Sequence, residues 1–290
     1  MSFRSLQEII NKSKETGKAF WEIVMADDMN ERAVSGQESF DKMKQLYLSM
    51  KKANEAYEEN LLSASKLVGG DGAKVRHALE EGKLLSDSFV GEVISKALKM
   101  GENNACMKRI VAAPTAGSCG VLPAVLLTYE EQKGADLDRM VEAMFVAAGI
   151  GVVISVRAFL AGAAGGCQAE IGSASAMAAG ALAYLQGGDG EEIAHASAMA
   201  LKNLLGLVCD PVAGLVEVPC VKRNVIGAMG AIAYADMAIA GVRSQIPPDE
   251  VIDAMREVGE QLPITLRETG EGGLAATPTG VEIAERLIHE

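Results

Sequence analysis

An all-α fold is what this sequence predicts, on three observations. Hydrophobic residues fill 49% of its 290 positions but aromatics only 4%, with 31 Gly and 14 Met prominent instead. That mixture suits helices packed closely through small side chains, not a β-sandwich, whose strands favour aromatic and β-branched residues. No stretch sustains the two-residue alternation of a half-buried strand, whereas apolar residues recur at mixed three- and four-residue intervals.

Taken in order, residues 1–66 read as a charged helical segment. SLQEIINKSKETGKAFWEIVMADD and FDKMKQLYLSMKKANEAYEENLLSASKLV carry Lys and Glu between their apolar positions. The breaker Gly69-Gly70-Asp71-Gly72 ends this part, and residues 67–290 form the second unit, one continuous domain being the alternative. SDSFVGEVISKALKMG is a further amphipathic helix. From Val111 onward the chain turns Gly/Ala-rich, with PTAGSCG, GAAGGCQAEIGSAS, LQGGDG and CDPVAG as irregular turns between helical runs. Pro247-Pro248-Asp249-Glu250 signals a helix start, after which Val251, Ile252, Met255, Val258 and Leu262 form one apolar face. The last helix is expected to begin near Thr279 and to bury Val281, Ile283, Ala284, Leu287 and Ile288. Between these two helices RETGEGGLAATPTG is too small-residued to pack, and is expected to lie over a site.

A formal charge of −12 excludes unaided nucleic-acid binding, which needs a basic footprint. MSFRSLQEIINKSKE lacks the apolar core of a secretory signal. In Ala143–Gly188 the only charges are Arg157 and Glu170. A membrane span competes here with a buried helix pair; Arg157 interrupts the most apolar part and the remainder is mostly Ala, Gly and Ser, so the buried pair is expected. Five cysteines without a signal point to a reducing, cytoplasmic setting with thiols free or metal-bound.

Chemistry centres on three thiols: Cys167 in GGCQAE, Cys209 in GLVCDPVAG and Cys220 in VEVPCVKRN, separated by 42 and 11 residues. Each lies near a Gly or Pro, hence near a backbone bend. Spacing alone leaves two readings open, buried structural thiols or metal ligands, because neither CxxC nor a ferredoxin spacing is present. Cys106 and Cys119 read as structural. AAPTAGSCGVLP offers Thr115, Ser118 and backbone N–H groups to an anion such as a carboxylate, the alternative being a plain connecting turn. It lacks the Gly-Lys-Ser/Thr ending of a phosphate-binding loop. Arg157 and Glu170, isolated in apolar sequence, each call for a partner or a ligand. For Arg157 a structural pair with Asp210 or Glu217 is favoured over a substrate carboxylate. His195 reads as a satisfied packing residue and His77 as surface. Lys202, Lys222 and Arg223 are available to offset thiolate charge, though each alone also reads as a solvated surface cation.

Together AAPTAGSCGVLPAVL, SVRAFLAGAAGGCQAEIGSASAMAAGAL, GLVCDPVAGLVEVPCVKRN and RETGEGGLAATPTG resemble the alpha chain of the iron–sulfur-dependent L-serine dehydratases. The resemblance spans about Val111 to Gly280 in order. It implies a lyase that converts L-serine to pyruvate and ammonia without pyridoxal phosphate, with residues 67–290 as the catalytic domain. It implies a [4Fe–4S] cluster on Cys167, Cys209 and Cys220, leaving one iron free of protein thiolate. Thr115, Ser118, Ser173 and Ser175 lie in the matching Gly/Ser motifs and are the implied substrate anchors. Single-chain members carry a Ser-His-Thr-x-Gly-Pro motif on an extra domain, with the His as candidate base; this chain has no such motif and no Cys after Cys220. Both features resemble the two-chain branch, so a beta chain is the implied partner and source of the base. The rival reading is a non-enzymatic iron–sulfur sensor or scaffold using the same thiols.

Overall fold

A computed structural model describes residues 3–289. Thirteen α-helices follow one another: α1 (Leu6–Thr16), α2 (Phe20–Arg32), α3 (Gly36–Glu55), α4 (Asp71–Glu80), α5 (Ser88–Ala105), α6 (Val121–Lys133), α7 (Leu137–Arg157), α8 (Gly162–Gly165), α9 (Ser173–Leu185), α10 (Gly190–Lys202), α11 (Cys220–Ile239), α12 (Pro248–Gln261) and α13 (Pro278–His289). Among the described residues no β-strand forms, and the sheet-like pairing is one parallel bridge between Cys209 and Arg267. The all-α expectation holds.

Local chemistry fixes many of the boundaries. Ser5, Asp87, Asp136 and Asp189 accept hydrogen bonds from first-turn N–H groups of α1, α5, α7 and α10, and Ser35 with Glu38 makes a reciprocal cap on α3. Gly17 and Gly134 close α1 and α6 in the left-handed conformation. The Gly69–Gly72 stretch opens a helix: Gly70 caps α4, which begins at Asp71.

The centre of the molecule is α9, with all thirteen of its residues buried. It packs against α7, α10 and α11, and its Ala, Ser and Gly side chains permit very close approach. A Cβ on Gly180 would lie 2.2 Å from Ile150 Cδ1 of α7 and 2.7 Å from Ser197 Oγ of α10. One hydrophobic core runs from Phe3 and Leu6 through α7 and α9 to Met255 of α12. Helix α7 is long and apolar enough to cross a membrane, yet 67% of that window is buried inside this fold, which is the behaviour of a core helix.

Two expectations need correction. In α13 only Gly280 is buried, while Val281 is 45% and Ile288 79% exposed. The helix touches the molecule chiefly near the short turns at Val212–Gly214 and Gly273–Ala276, so its apolar stripe has no core to face. Arg157 pairs with neither Asp210 nor Glu217. At the exposed end of α7 it meets Asp253 of α12 at 2.5 Å and the Arg4 carbonyl at 3.1 Å. Its two expected partners are committed elsewhere, Asp210 to Arg223 and Glu217 to Ser63 and Ser65.

A candidate thiol centre and its acidic neighbours

Cys167, Cys209 and Cys220 come from three separate segments and converge. Cys167 sits between Gly166 and a π-helical turn over Gln168–Gly172, Cys209 lies in the loop after α10, and Cys220 opens α11. All are buried, and all five cysteines of the chain are free thiols. Gly166 adopts φ +77°, and a Cβ there would lie 2.6 Å from Leu262 Cδ1 and 2.9 Å from the Leu207 carbonyl, so glycine is required for this approach. The π turn widens the helix immediately after Cys167, a local irregularity common at functional sites.

Hydrogen bonds fasten each segment. Gln168 donates Nε2 to the Gly165 and Met255 carbonyls and accepts from Gly206 N–H at 2.9 Å. Asn224, one turn into α11, accepts from Gly120 N–H at 2.8 Å and donates to the carbonyls of Gly117 and Cys220. That single buried amide ties the AAPTAGS turn to the Cys220 turn. Cys209 N–H donates to Leu266 O and Glu268 N–H to Cys209 O, so the RETGEGG loop does lie over the centre, as expected. Leu274 N–H adds a bond to Asp210 Oδ2 at 2.8 Å.

The electrostatics couple the thiols. Cys209 hydrogen-bonds to Cys167, and with the Arg223 guanidinium nearby this holds the Cys167 thiol below its ordinary range despite burial. The same bond and burial push Cys209 far up. Burial, and then the charges of Cys167 and Glu170, push Cys220 up to about 12. Arg223 is itself anchored, 2.8 Å from Asp210 Oδ1 and 2.8 Å from the Val208 carbonyl. Among the described residues no three His, Cys, Asp or Glu side chains stand in position to hold a single metal ion.

Beside the thiols stand two carboxylates. The Cβ position of Gly162 is 2.9 Å from Cys209 Sγ, 3.0 Å from Glu170 Oε2 and 3.2 Å from Glu268 Oε2, so three acceptors face one glycine. A second glycine, Gly117, leaves room for the Glu170 carboxylate from the other side, at 3.2 Å from both oxygens. Burial raises the Glu170 carboxyl above its ordinary range; the Thr115 hydroxyl bond opposes this and Glu268 adds to it. Thr115 Oγ1 also lies 3.0 Å from Ser118 Oγ.

Thr115 and Ser118 therefore lie at this centre. Ser175 Oγ donates to Gly227 O at 2.7 Å inside the helix packing, and Ser173 Oγ is buried without a hydrogen-bond partner. His195 Nδ1 accepts from Ser244 N–H, the packing role expected of it. Cys119 donates to Met100 O, again structural. Sequence reasoning missed Asn224 and Glu268 and left Glu170 without a place; Arg223, one of three cations available to offset thiolate charge, is the one that reaches Cys167. Glu170 carried a signal, a lone acid in a long uncharged run; Asn224 carried none.

The fold and site define an all-α protein that gathers reduced thiols and carboxylates from distant segments into one buried centre. The sequence pattern of the serine dehydratase alpha chain family matches residues 15–275. The chain is 46% identical over 286 residues to the probable L-serine dehydratase alpha chain of Bacillus subtilis, covering 99% of this chain and 95% of that one. It is 39% identical to the L-serine dehydratase alpha chain of Peptoniphilus asaccharolyticus, over 98% of both. With the L-serine dehydratase of Streptomyces coelicolor it shares 36% identity over 94% of this chain but only 60% of that protein. This chain belongs to the serine dehydratase alpha chain family.

Proposed function

We propose that this chain is the catalytic alpha subunit of an L-serine dehydratase, a lyase that forms pyruvate and ammonia with a [4Fe–4S] cluster on Cys167, Cys209 and Cys220. The observation that carries the reading is the convergence of three free thiols from three segments beside an acidic, hydroxyl-bearing wall. The donor chemistry fits: thiolates are the ligands of such clusters, and Arg223 offsets part of their charge. When bound, the cluster supplies an iron without protein thiolate, a Lewis acid for the substrate hydroxyl.

The remaining work falls to the chain. Glu170 and Glu268 face the same space and supply negative charge for the substrate ammonium, while Thr115, Ser118 and the N–H groups of the AAPTAGS turn suit its carboxylate. Ser173 and Ser175, the other implied anchors, lie within the packing of α9, with Ser175 committed to the Gly227 carbonyl. Asn224 and Gln168 keep the surrounding turns from yielding, and so preserve the orientation on which elimination depends. The base that removes the α-proton comes from a beta chain. The Streptomyces relative is matched over 60% of its length, so that protein carries further sequence outside the matched part. The free thiols suit a reducing cytoplasm.

The test is anaerobic reconstitution. About four iron and four sulfide per chain are expected, with a serine-dependent change in the electron paramagnetic resonance of the reduced cluster, and serine turnover once the beta chain is added. Zinc or no metal overturns the reading. A cluster indifferent to serine favours a sensor instead.

A further inference from the structure

We propose that residues 57–70 form a strap that positions Cys220, with Glu217 as the positioning residue it grips. The loop between α3 and α4 closes on itself, Ser63 N–H donating to Val68 O at 3.0 Å. It is tied down at both ends: Tyr57 donates its hydroxyl to Glu102 at 2.6 Å, and Asp71 meets Lys222 of α11 at 3.2 Å. Between these ends Ser63 and Ser65, both buried, donate their hydroxyls to one oxygen of Glu217.

Glu217 is 7% exposed and, among the described residues, makes no ion pair, so the two serines are what satisfies its charge. Its own carbonyl accepts from Val221 N–H at 3.0 Å, across the turn that presents Cys220. Apolar contacts follow the same route. Val68 packs with Leu98 and Val221, and Leu67 and Val218 flank that cluster, so the strap grips the chain on both sides of Cys220. A buried carboxylate stripped of its donors is costly, and the turn carrying it is expected to open. A segment far from the thiols in sequence thus sets the place of one of them. Its value for cluster binding rests on the function proposed above, but the positioning itself does not.

The test uses the full chain without metal, under anaerobic conditions, with N-ethylmaleimide labelling followed residue by residue. In Ser63→Ala/Ser65→Ala, Cys220 is expected to be alkylated roughly tenfold faster or more, as the loss of hydrogen bonds to a buried charge implies. Cys119, also buried but bonded to Met100 O, is the internal control and should not change. Ser65→Thr, which keeps the hydroxyl, should stay near the parent rate, and Ser65→Ala alone carries the measurement if the double variant does not fold. An unchanged Cys220, or a Cys119 that accelerates in step with it, overturns the strap. Iron release to a chelator from the reconstituted chain separates the two readings: faster labelling of Cys220 with unaltered iron release keeps the strap and removes Cys220 from the cluster.

Discussion

Helices α3 and α9 are packed by opposite means. α3 spans 20 residues and buries only Ser39, Tyr47, Met50 and Ala53, while pairs such as Lys44–Asp138 and Lys51–Glu130 tie its flanks to α7 and α6. α9 spans 13 residues, all buried, and contains no charged side chain. One helix adheres by a stripe; the other is enclosed on every side at backbone-limited distances. The stripe tolerates change because water accepts whatever is put on the far face. The enclosed helix does not, and it follows directly from the π turn that carries Glu170 and Cys167's neighbours.

The widest gap between the two regions is expected in metal content. Cys209→Ser should abolish iron retention and serine turnover, whereas Cys106→Ser, outside the centre, should keep both; metal analysis of the two variants decides it. Next comes packing. Gly180→Val should destabilise by about 3 kcal/mol, the cost of overfilling a tight core, while Glu55→Val on α3 should stay within about 0.5 kcal/mol. Equal denaturant midpoints for these two would erase the distinction drawn here. Asn224→Leu should cost about 1–3 kcal/mol through the backbone groups it leaves unsatisfied, and should speed thiol labelling at Cys220 as well.

A subtler difference appears with pH. Because burial raises the Glu170 carboxyl above its ordinary 4.5, the folded metal-free chain binds that proton more tightly than the unfolded one. Its contribution is therefore fully present below the unfolded value and lost as pH rises through the folded one. Glu170→Gln should leave stability near pH 4 little changed and raise it at pH 7, seen as a higher urea midpoint; a lower midpoint at pH 7 would contradict the burial argument. The smallest effect belongs to the surface: Lys44→Ala should alter stability by about 0.5 kcal/mol or less, with more of even that small loss surviving in low salt.

Much of the fold was legible. The caps, the Pro247-Pro248 helix start and the apolar face of α12 all follow from local rules, and Val251, Ile252 and Met255 are buried as their spacing predicts. The same rule failed for α13, whose spacing is as regular but whose apolar side meets mostly solvent. Periodicity states that a helix has a face; it does not state that something covers it. Arg157 failed in a related way, since an apolar neighbourhood in sequence turned out to end at the surface beside Asp253.

By itself the sequence determined the helical class, the turns, the three cysteines and the family pattern, because these depend on residue type, short-range spacing and ordered motifs. Tertiary structure alone decided which acids face the thiols, that Asn224 reaches back 104 residues to Gly120 and so joins two turns, and that Ser63 and Ser65 hold Glu217. Contacts of that kind join single side chains across long loops, and no local preference encodes them. They exist only once the small-residue helices have closed and left those few polar groups no other partners.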